Sequence, residues 1–284
     1  MPKSTDTLIA DGERRMNIAE NIFNSNTKRA ESAIYQELQK LFDSIDITAG
    51  KIKNSRKTME FLHSLELRIY DALNNSGYNG AVKNYLKNFD RIRDNNIDIQ
   101  AKLNKKVLSP GSFDDITRME TQAAIERLTG SGISKDFIIP IKESLYRNIY
   151  LGADIATARK TIEDYVLTKE GQESKLLRYT RQVARDTINQ YDGAIQKVIA
   201  NELDLPDYLY AGSLIQDSRG QCKYWVEKTK LLGEELKAEI EQAIAGRTLG
   251  GYKCSGMIPQ TSVDTFSIYR GGYNCRHRAI ATKF

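Results

Sequence analysis

All three cysteines of this 284-residue chain, Cys222, Cys254 and Cys275, fall in its last part, and His277, one of its two histidines, follows the last of them by two residues. Thiolate sulfur and imidazole nitrogen are the donors that hold zinc, so Cys222, Cys254, Cys275 and His277 form a candidate four-ligand set. Their spacing is unlike most structural zinc sites. Those take ligands in pairs roughly two to four residues apart, so that a tight turn aims both at one ion. Only Arg276 separates Cys275 from His277, although on a strand the two would share a face and could chelate. In the other reading Cys222 and Cys275 lie together as packed thiols, or join as a disulfide outside a reducing compartment, with Cys254 left over and no cofactor bound.

Little else in the chain points to catalysis. The second histidine is His63, and two imidazoles do not furnish a His-rich metal site or a hydrolase needing several. His277 has no nucleophile or carboxylate at an interpretable spacing. No G-x-x-x-x-G-K-[ST] loop, G-x-G-x-x-G turn or H-E-x-x-H helix occurs. Asp217-Ser218-Arg219, just ahead of Cys222, reads as a turn cap or as a partner for a terminal arginine such as Arg276. Gly250-Gly251 and Gly271-Gly272 read as sharp turns.

The formal net charge is +5, from 42 basic and 37 acidic side chains, too near balance to announce a nucleic-acid binder by itself. The basic excess is local. Beyond residue 250, Lys253, Arg270, Arg276, Arg278 and Lys283 are accompanied by one acid, Asp264. Arg270, Arg276, Arg278 and Lys283 are therefore candidate contacts for DNA phosphates or for an acidic protein surface. Lys51, Lys53, Arg56 and Lys57 could do the same or simply solvate a helix face.

The elements that must position these residues follow from periodicity. Ala33, Ile34, Leu38, Leu41, Phe42 and Ile45 make one helical stripe, and a break follows at Thr48-Ala49-Gly50. Met59, Leu62, Leu65, Ile69 and Leu73 make a second, ending at Asn74-Asn75-Ser76-Gly77. Val82, Tyr85, Leu86, Phe89 and Ile92 predict a third helix with Asn and Lys on its other side, the three forming one antiparallel unit. Ser109-Pro110-Gly111 breaks the chain, and Asp114 or Asp115 caps a helix running to Leu128. Pro140 kinks the segment Ser134 to Tyr150 or marks a helix's first turn, and Asp154 caps the next helix. Glu173 to Glu202 predicts the longest helix. After Pro206 the texture changes: Asp207 to Ser213 and Thr261 to Tyr269 have strand character, Leu232 to Ala245 reads as a helix and 246–256 as a loop.

The expected fold is mainly α with a C-terminal α+β domain: an N-terminal helical bundle, then a long helix and a small antiparallel sheet. Length predicts two domains, an N-terminal helical region at 1–110 and a second region at 111–284, with helices over 111–203 and an α+β part over 204–284. Hydrophobic residues make up 40% and charged residues 28%, an ordinary globular balance. No apolar run matches a membrane span, and Met1 to Arg15 lacks a signal-peptide apolar region, which predicts synthesis in a cytoplasm.

Residues 174–281 resemble the head-morphogenesis domain of tailed phages, the minor head proteins of the Mu F type. The resemblance rests on an ordered set: the helix with Arg181-Gln182-Val183-Ala184-Arg185-Asp186-Thr187, a Tyr-rich strand, Asp217-Ser218-Arg219 with Cys222, a further helix, and the closing Arg270-Gly271-Gly272-Tyr273-Asn274-Cys275-Arg276-His277. Asp217, Arg219, Cys222, Gly271, Gly272, Tyr273, Cys275, Arg276 and His277 are the motif positions. Many members close on Cys-Arg-Cys and place a second cysteine three residues after the first; here Trp225 and His277 stand at those places. The resemblance implies a non-catalytic virion component at the portal vertex, present in the host cytoplasm during assembly. It implies the portal protein, the capsid shell and packaged double-stranded DNA as partners. A zinc-dependent nucleic-acid-binding module is the alternative. A nuclease or ADP-ribosylating toxin would need clustered catalytic groups that the terminal stretch, with Asp264 alone, does not offer.

Overall fold

The computed structural model describes residues 4–273 and 275–284; Met1–Lys3, Asn274 and the side chain of Leu41 lie outside the described residues. The chain is mostly helical, with small antiparallel sheets and an α+β C-terminal region. No described helix is long and apolar enough to cross a membrane.

The first helix, α1 (Thr5–Phe42), exceeds the 29-residue helix expected to be longest by nine residues, since it has 38. Its start is set by Ser4, whose Oγ accepts the Thr7 N–H. A two-residue hairpin, β1 (Ile47–Thr48) and β2 (Lys51–Ile52), turns at Ala49 and Gly50, both at positive φ. α2 (Arg56–Asn75) begins at Ser55, whose side chain accepts from Thr58 N. The third expected helix is two, α3 (Tyr78–Leu86) and α4 (Asn88–Leu103), separated at Lys87. Pro110–Phe113 forms a 3-10 turn ahead of α5 (Asp114–Thr129). A short α6 (Ser131–Ile133) and a π turn at Ser134–Ile138 lead into α7 (Ile139–Tyr150), with Pro140 in the first turn, where its missing N–H leaves no bond unmade. Asp154 caps α8 (Ile155–Val166) through Thr157 N at 2.8 Å.

α9 (Lys175–Leu203) is followed by β3 (Asp207–Ala211), α10 (Gly220–Lys228), β4 (Lys230–Leu231) and α11 (Gly233–Ile244). A hairpin, β5 (Thr248–Leu249) and β6 (Tyr252–Lys253), interrupts the expected 246–256 loop. The strand expected at 261–269 is instead a turn and a short helix, α12 (Phe266–Tyr269). Its hydroxyls explain the difference: Thr265 Oγ1 accepts from Ser262 N and donates to the Gln260 carbonyl, folding the chain on itself. The last strand, β7 (Arg278–Thr282), pairs antiparallel with β3, giving the order β4-β3-β7 with Tyr208 opposite Ala281.

The compact units do not follow a single cut in the chain. One comprises Met1–Ile18, Lys87–Gln122 and Arg185–Phe284, the other Ala19–Leu86 and Ala123–Ala184. α1, α5 and α9 each supply residues to both.

In the second unit Phe23, Ile34 and Leu38 of α1, Leu62, Leu65 and Ile69 of α2, and Phe137, Ile141 and Ile162 are buried. Glu31 sits among them, accepting from Thr168 N at 3.0 Å and from the hydroxyls of Thr168 and Ser174 at 3.1 and 2.6 Å. In the first unit Leu8, Ile9, Ile99 and Ile280 form an apolar cluster, and Phe89 stacks on Tyr191 with ring centroids 4.0 Å apart.

Candidate functional site

The first unit also buries a polar ladder. Asn96 and Gln100 on α4, with Asn104 at its C-cap, recur every four residues, and Asp192 and Gln196 do so on α9, so each set lines one helical face. Asn96 Nδ2 donates to Asp192 Oδ1 at 2.9 Å, and Gln196 Nε2 to Asn96 Oδ1 at 2.6 Å. The ladder closes on β7. Gln196 Oε1 accepts the Ala281 N–H at 2.8 Å, while Gln100 and Asn104 donate to the Ala281 carbonyl at 3.1 and 3.2 Å. β7 is an edge strand, and side-chain amides take the ladder bonds that a further strand would have made.

Arg278 opens β7 and enters this network. Its guanidinium donates to Asp192 Oδ1 and Oδ2 at 2.8 and 3.2 Å and to Asn96 Oδ1 at 2.7 Å, and residue and partner are almost wholly inaccessible. Arg270 is equally buried. It donates Nε to the Ser267 carbonyl at 2.9 Å and Nη1 to the His277 carbonyl at 2.5 Å, and lies 3.8 Å from Asp192. Those bonds hold its backbone at φ 46°, a region a side chain seldom occupies. Burial alone would raise the Asp192 carboxyl, but the charges of Arg278 and Arg270 and the hydrogen bonds from Arg278 and Asn96 outweigh it, leaving it below the aspartate range. Glu13 of α1 shifts the other way: burial pushes its carboxyl up against the opposing charges of Arg278 and His277.

Arg270 and Arg278 therefore do not face phosphates, as the basic tail had led one to expect. Each is committed to a buried carboxylate, because a desolvated guanidinium is tolerated only when paired. Arg276 and Lys283 are the exposed members of the set. Asp217 is exposed, and the carboxylate that holds the terminal Arg278 is Asp192.

Beside this network the structure gathers most of the motif. α10, a nine-residue helix the sequence reading did not identify, carries Cys222 and Trp225 into the core. Cys222 Sγ lies 3.9 Å from Cys275 Sγ, and Cys275 Sγ 3.5 Å from His277 Nδ1. Tyr210 Oη is 3.8 Å from the first sulfur and 3.5 Å from the second, and the Tyr210 ring stacks on His277 at 5.5 Å. Cys254 is buried elsewhere, its Sγ 3.8 Å from the Tyr252 carbonyl. The four-ligand set thus reduces to three, Cys222, Cys275 and His277, whose donor atoms all lie within 4.8 Å of one another. Cys275 and His277 do not use a strand's shared face, since β7 begins one residue later.

The two thiols are unequal. The hydrogen bond from Cys222, which outweighs burial, together with His277 and Arg270, holds Cys275 well below the usual thiol range. Cys222 is pushed up by donating its S–H in a hydrogen bond to Cys275 and by burial.

Two further motif residues serve as clamps. Arg219 donates to the carbonyls of Gly271 at 3.3 Å and Tyr273 at 2.6 Å. A Cβ on Gly271 would collide with Cys222 Sγ and stand 3.2 Å from Cys275 Sγ and 3.3 Å from Tyr210 Oη, so only glycine leaves room for both sulfurs. Gly272 is buried and Tyr273 exposed. The sequence reading missed Gln221, which donates to the Ser255 and Gly271 carbonyls at 2.7 and 3.0 Å and accepts from Ser255 N. It also missed Asp192 and Gln196. Each is polar and in mid-helix, and no spacing rule marks such a residue as buried.

Compared with protein-family models, curated proteins and solved structures, the chain matches none.

Proposed function

We propose that this chain is a non-catalytic minor head protein of a tailed phage, of the Mu F type, acting at the portal vertex in head assembly, genome packaging or genome delivery. One observation carries the reading. The residues of the resembling motif are scattered over 217–277, yet Cys222, Gly271, Cys275 and His277 meet in one buried knot, clamped by the part-buried Arg219, around the segment that leads into β7. A motif that encodes a shared scaffold should behave this way, because its side chains are spent on packing and backbone clamps.

On this reading the partners are the portal protein, the capsid shell and packaged double-stranded DNA. Arg276 and Lys283 remain the exposed terminal cations for phosphate or an acidic portal surface. A modest basic surface suits a protein beside moving DNA, since every added phosphate contact deepens binding.

Two measurements test the reading. The open reading frames flanking the gene should include a portal or terminase gene, and a metabolic operon would sink it. Mass spectrometry of purified particles should find the chain in few copies relative to the shell; its absence from particles and from proheads would overturn the proposal.

A further inference from the structure

We infer that Cys222, Cys275 and His277 form a metal site for a soft or borderline divalent cation, zinc by preference, that ties α10 to the segment before β7. Two edges of the triangle match those of a tetrahedral zinc site, and all three donor atoms lie within 4.8 Å of one another. With Zn–S about 2.3 Å and Zn–N about 2.0 Å, tetrahedral edges come to roughly 3.8 Å between sulfurs and roughly 3.5 Å from sulfur to nitrogen. The structure has 3.9 Å and 3.5 Å for those edges.

The surroundings provide room and charge balance. The missing side chain at Gly271 keeps open the space bordered by both sulfurs and Tyr210 Oη. Two thiolates and a neutral imidazole compensate a dication, leaving an uncharged centre in a buried place. His277 Nε2 has no hydrogen-bond partner among the described residues, so that nitrogen is free to carry the ring proton while Nδ1 ligates. Cys275 lines a cavity of about 20 Å³ with Asp186, Gln190, Arg270 and Tyr273, enough for a water to reach the cluster as a fourth ligand. On binding, each ligating thiol loses its proton to solvent, and no electrons move. The ion would join residues 53 positions apart, closing a long loop.

The inference does not rest on the phage reading, since zinc binding and particle incorporation are measured separately. The test uses the full chain, reduced, stripped with chelator and shown folded by circular dichroism. Titration with Co²⁺ should produce a thiolate-to-cobalt charge-transfer band that Zn²⁺ abolishes, and elemental analysis should find stoichiometric zinc. Cys222→Ser and His277→Gln should weaken binding by more than the roughly 10–100-fold that loss of an outer-shell partner costs. Gly271→Ala should weaken it by filling the space, and Cys254→Ser should leave it unchanged. Should the ligand variants fail to fold, the wild-type titration decides alone. No band in the folded, reduced wild type overturns the inference, and so does an equal loss in Cys254→Ser.

Discussion

Each compact unit buries a carboxylate, and the two are held in opposite ways. Glu31 accepts neutral donors, one backbone N–H and two hydroxyls, all from the chain around Thr168 and Ser174. Asp192 faces two arginines from the C-terminal segment, with Asn96 and Gln196 completing the network. The first arrangement fixes the local turn that leads into α9, where Ser174 Oγ also accepts the Leu177 N–H. The second joins β7 to residues 86 and 182 positions upstream, on α9 and α4, and it makes the last strand dependent on charge. A unit built on hydroxyls tolerates loss of charge better than one that buries two arginines against a shared aspartate.

The largest effect is therefore expected at Asp192. Asp192→Asn removes the carboxylate that buried Arg278 and Arg270 share, leaving the partly buried Glu13 as the carboxylate still near Arg278, and should destabilise the protein by about 3–5 kcal/mol in urea unfolding. The carboxyl lies below the ordinary aspartate value of 3.8, so its contribution is complete above that value and fades as pH falls through the lower folded value. Wild-type stability should drop in that acid window, and the Asp192→Asn variant should lack that part of the slope. Equal acid slopes in the two proteins would show that the arginines find another partner.

Gly193 comes next. It approaches the backbone of α12 so closely that a Cβ would collide with the Ser267 carbonyl and stand 2.6 Å from Ile268 Cα. Gly193→Ala should cost about 1–3 kcal/mol by forcing α9 away from that backbone. A neutral or stabilising result would mean the helix gains more from alanine propensity than it loses to the clash.

Much of the second unit was legible in advance, and much of the first was not. Ile34, Leu38, Leu62, Leu65 and Ile162 repeat at helical spacing and are buried, and Asp154 caps its helix through the bond its side chain invites. The apolar stripe is a local signal. Asparagine is usually exposed, yet Asn96 is fully buried against Asp192 and Arg278. Its partner lies 182 residues away, and nothing local announces that pairing. The same holds for α10, whose nine residues are too few for a periodic stripe. At 261–269, threonine and serine hydroxyls bend a stretch whose composition favours a strand. Clustering of three cysteines did point to the right region, but only the fold decides which thiols meet.

A gentler change probes the neutral hub. Glu31→Gln keeps the shape and one carbonyl acceptor but removes the charge and turns an amide toward hydroxyl donors. The loss should be about 1 kcal/mol, the difference between hydrogen bonds to charged and to neutral acceptors. A loss approaching that of Asp192→Asn would erase the contrast between the units.

The smallest effect on stability, and the most informative about partners, belongs to the exposed end of the basic segment. Lys283 lies past β7 and is exposed, so Lys283→Glu should leave unfolding within about 0.5 kcal/mol of wild type. Its effect should appear only in binding. A lysine that contacts phosphate contributes about one unit to the dependence of log affinity on log salt, so retention on double-stranded DNA should weaken at low salt and the slope should flatten by about that amount. The same substitution at Arg276 tests the other exposed cation. Arg270 and Arg278 cannot serve in this comparison, because reversing either would disrupt the Asp192 network and unfold what the assay needs intact. If both exposed reversals leave DNA retention and particle incorporation unchanged, the terminal arginines are there for Asp192 and not for a partner.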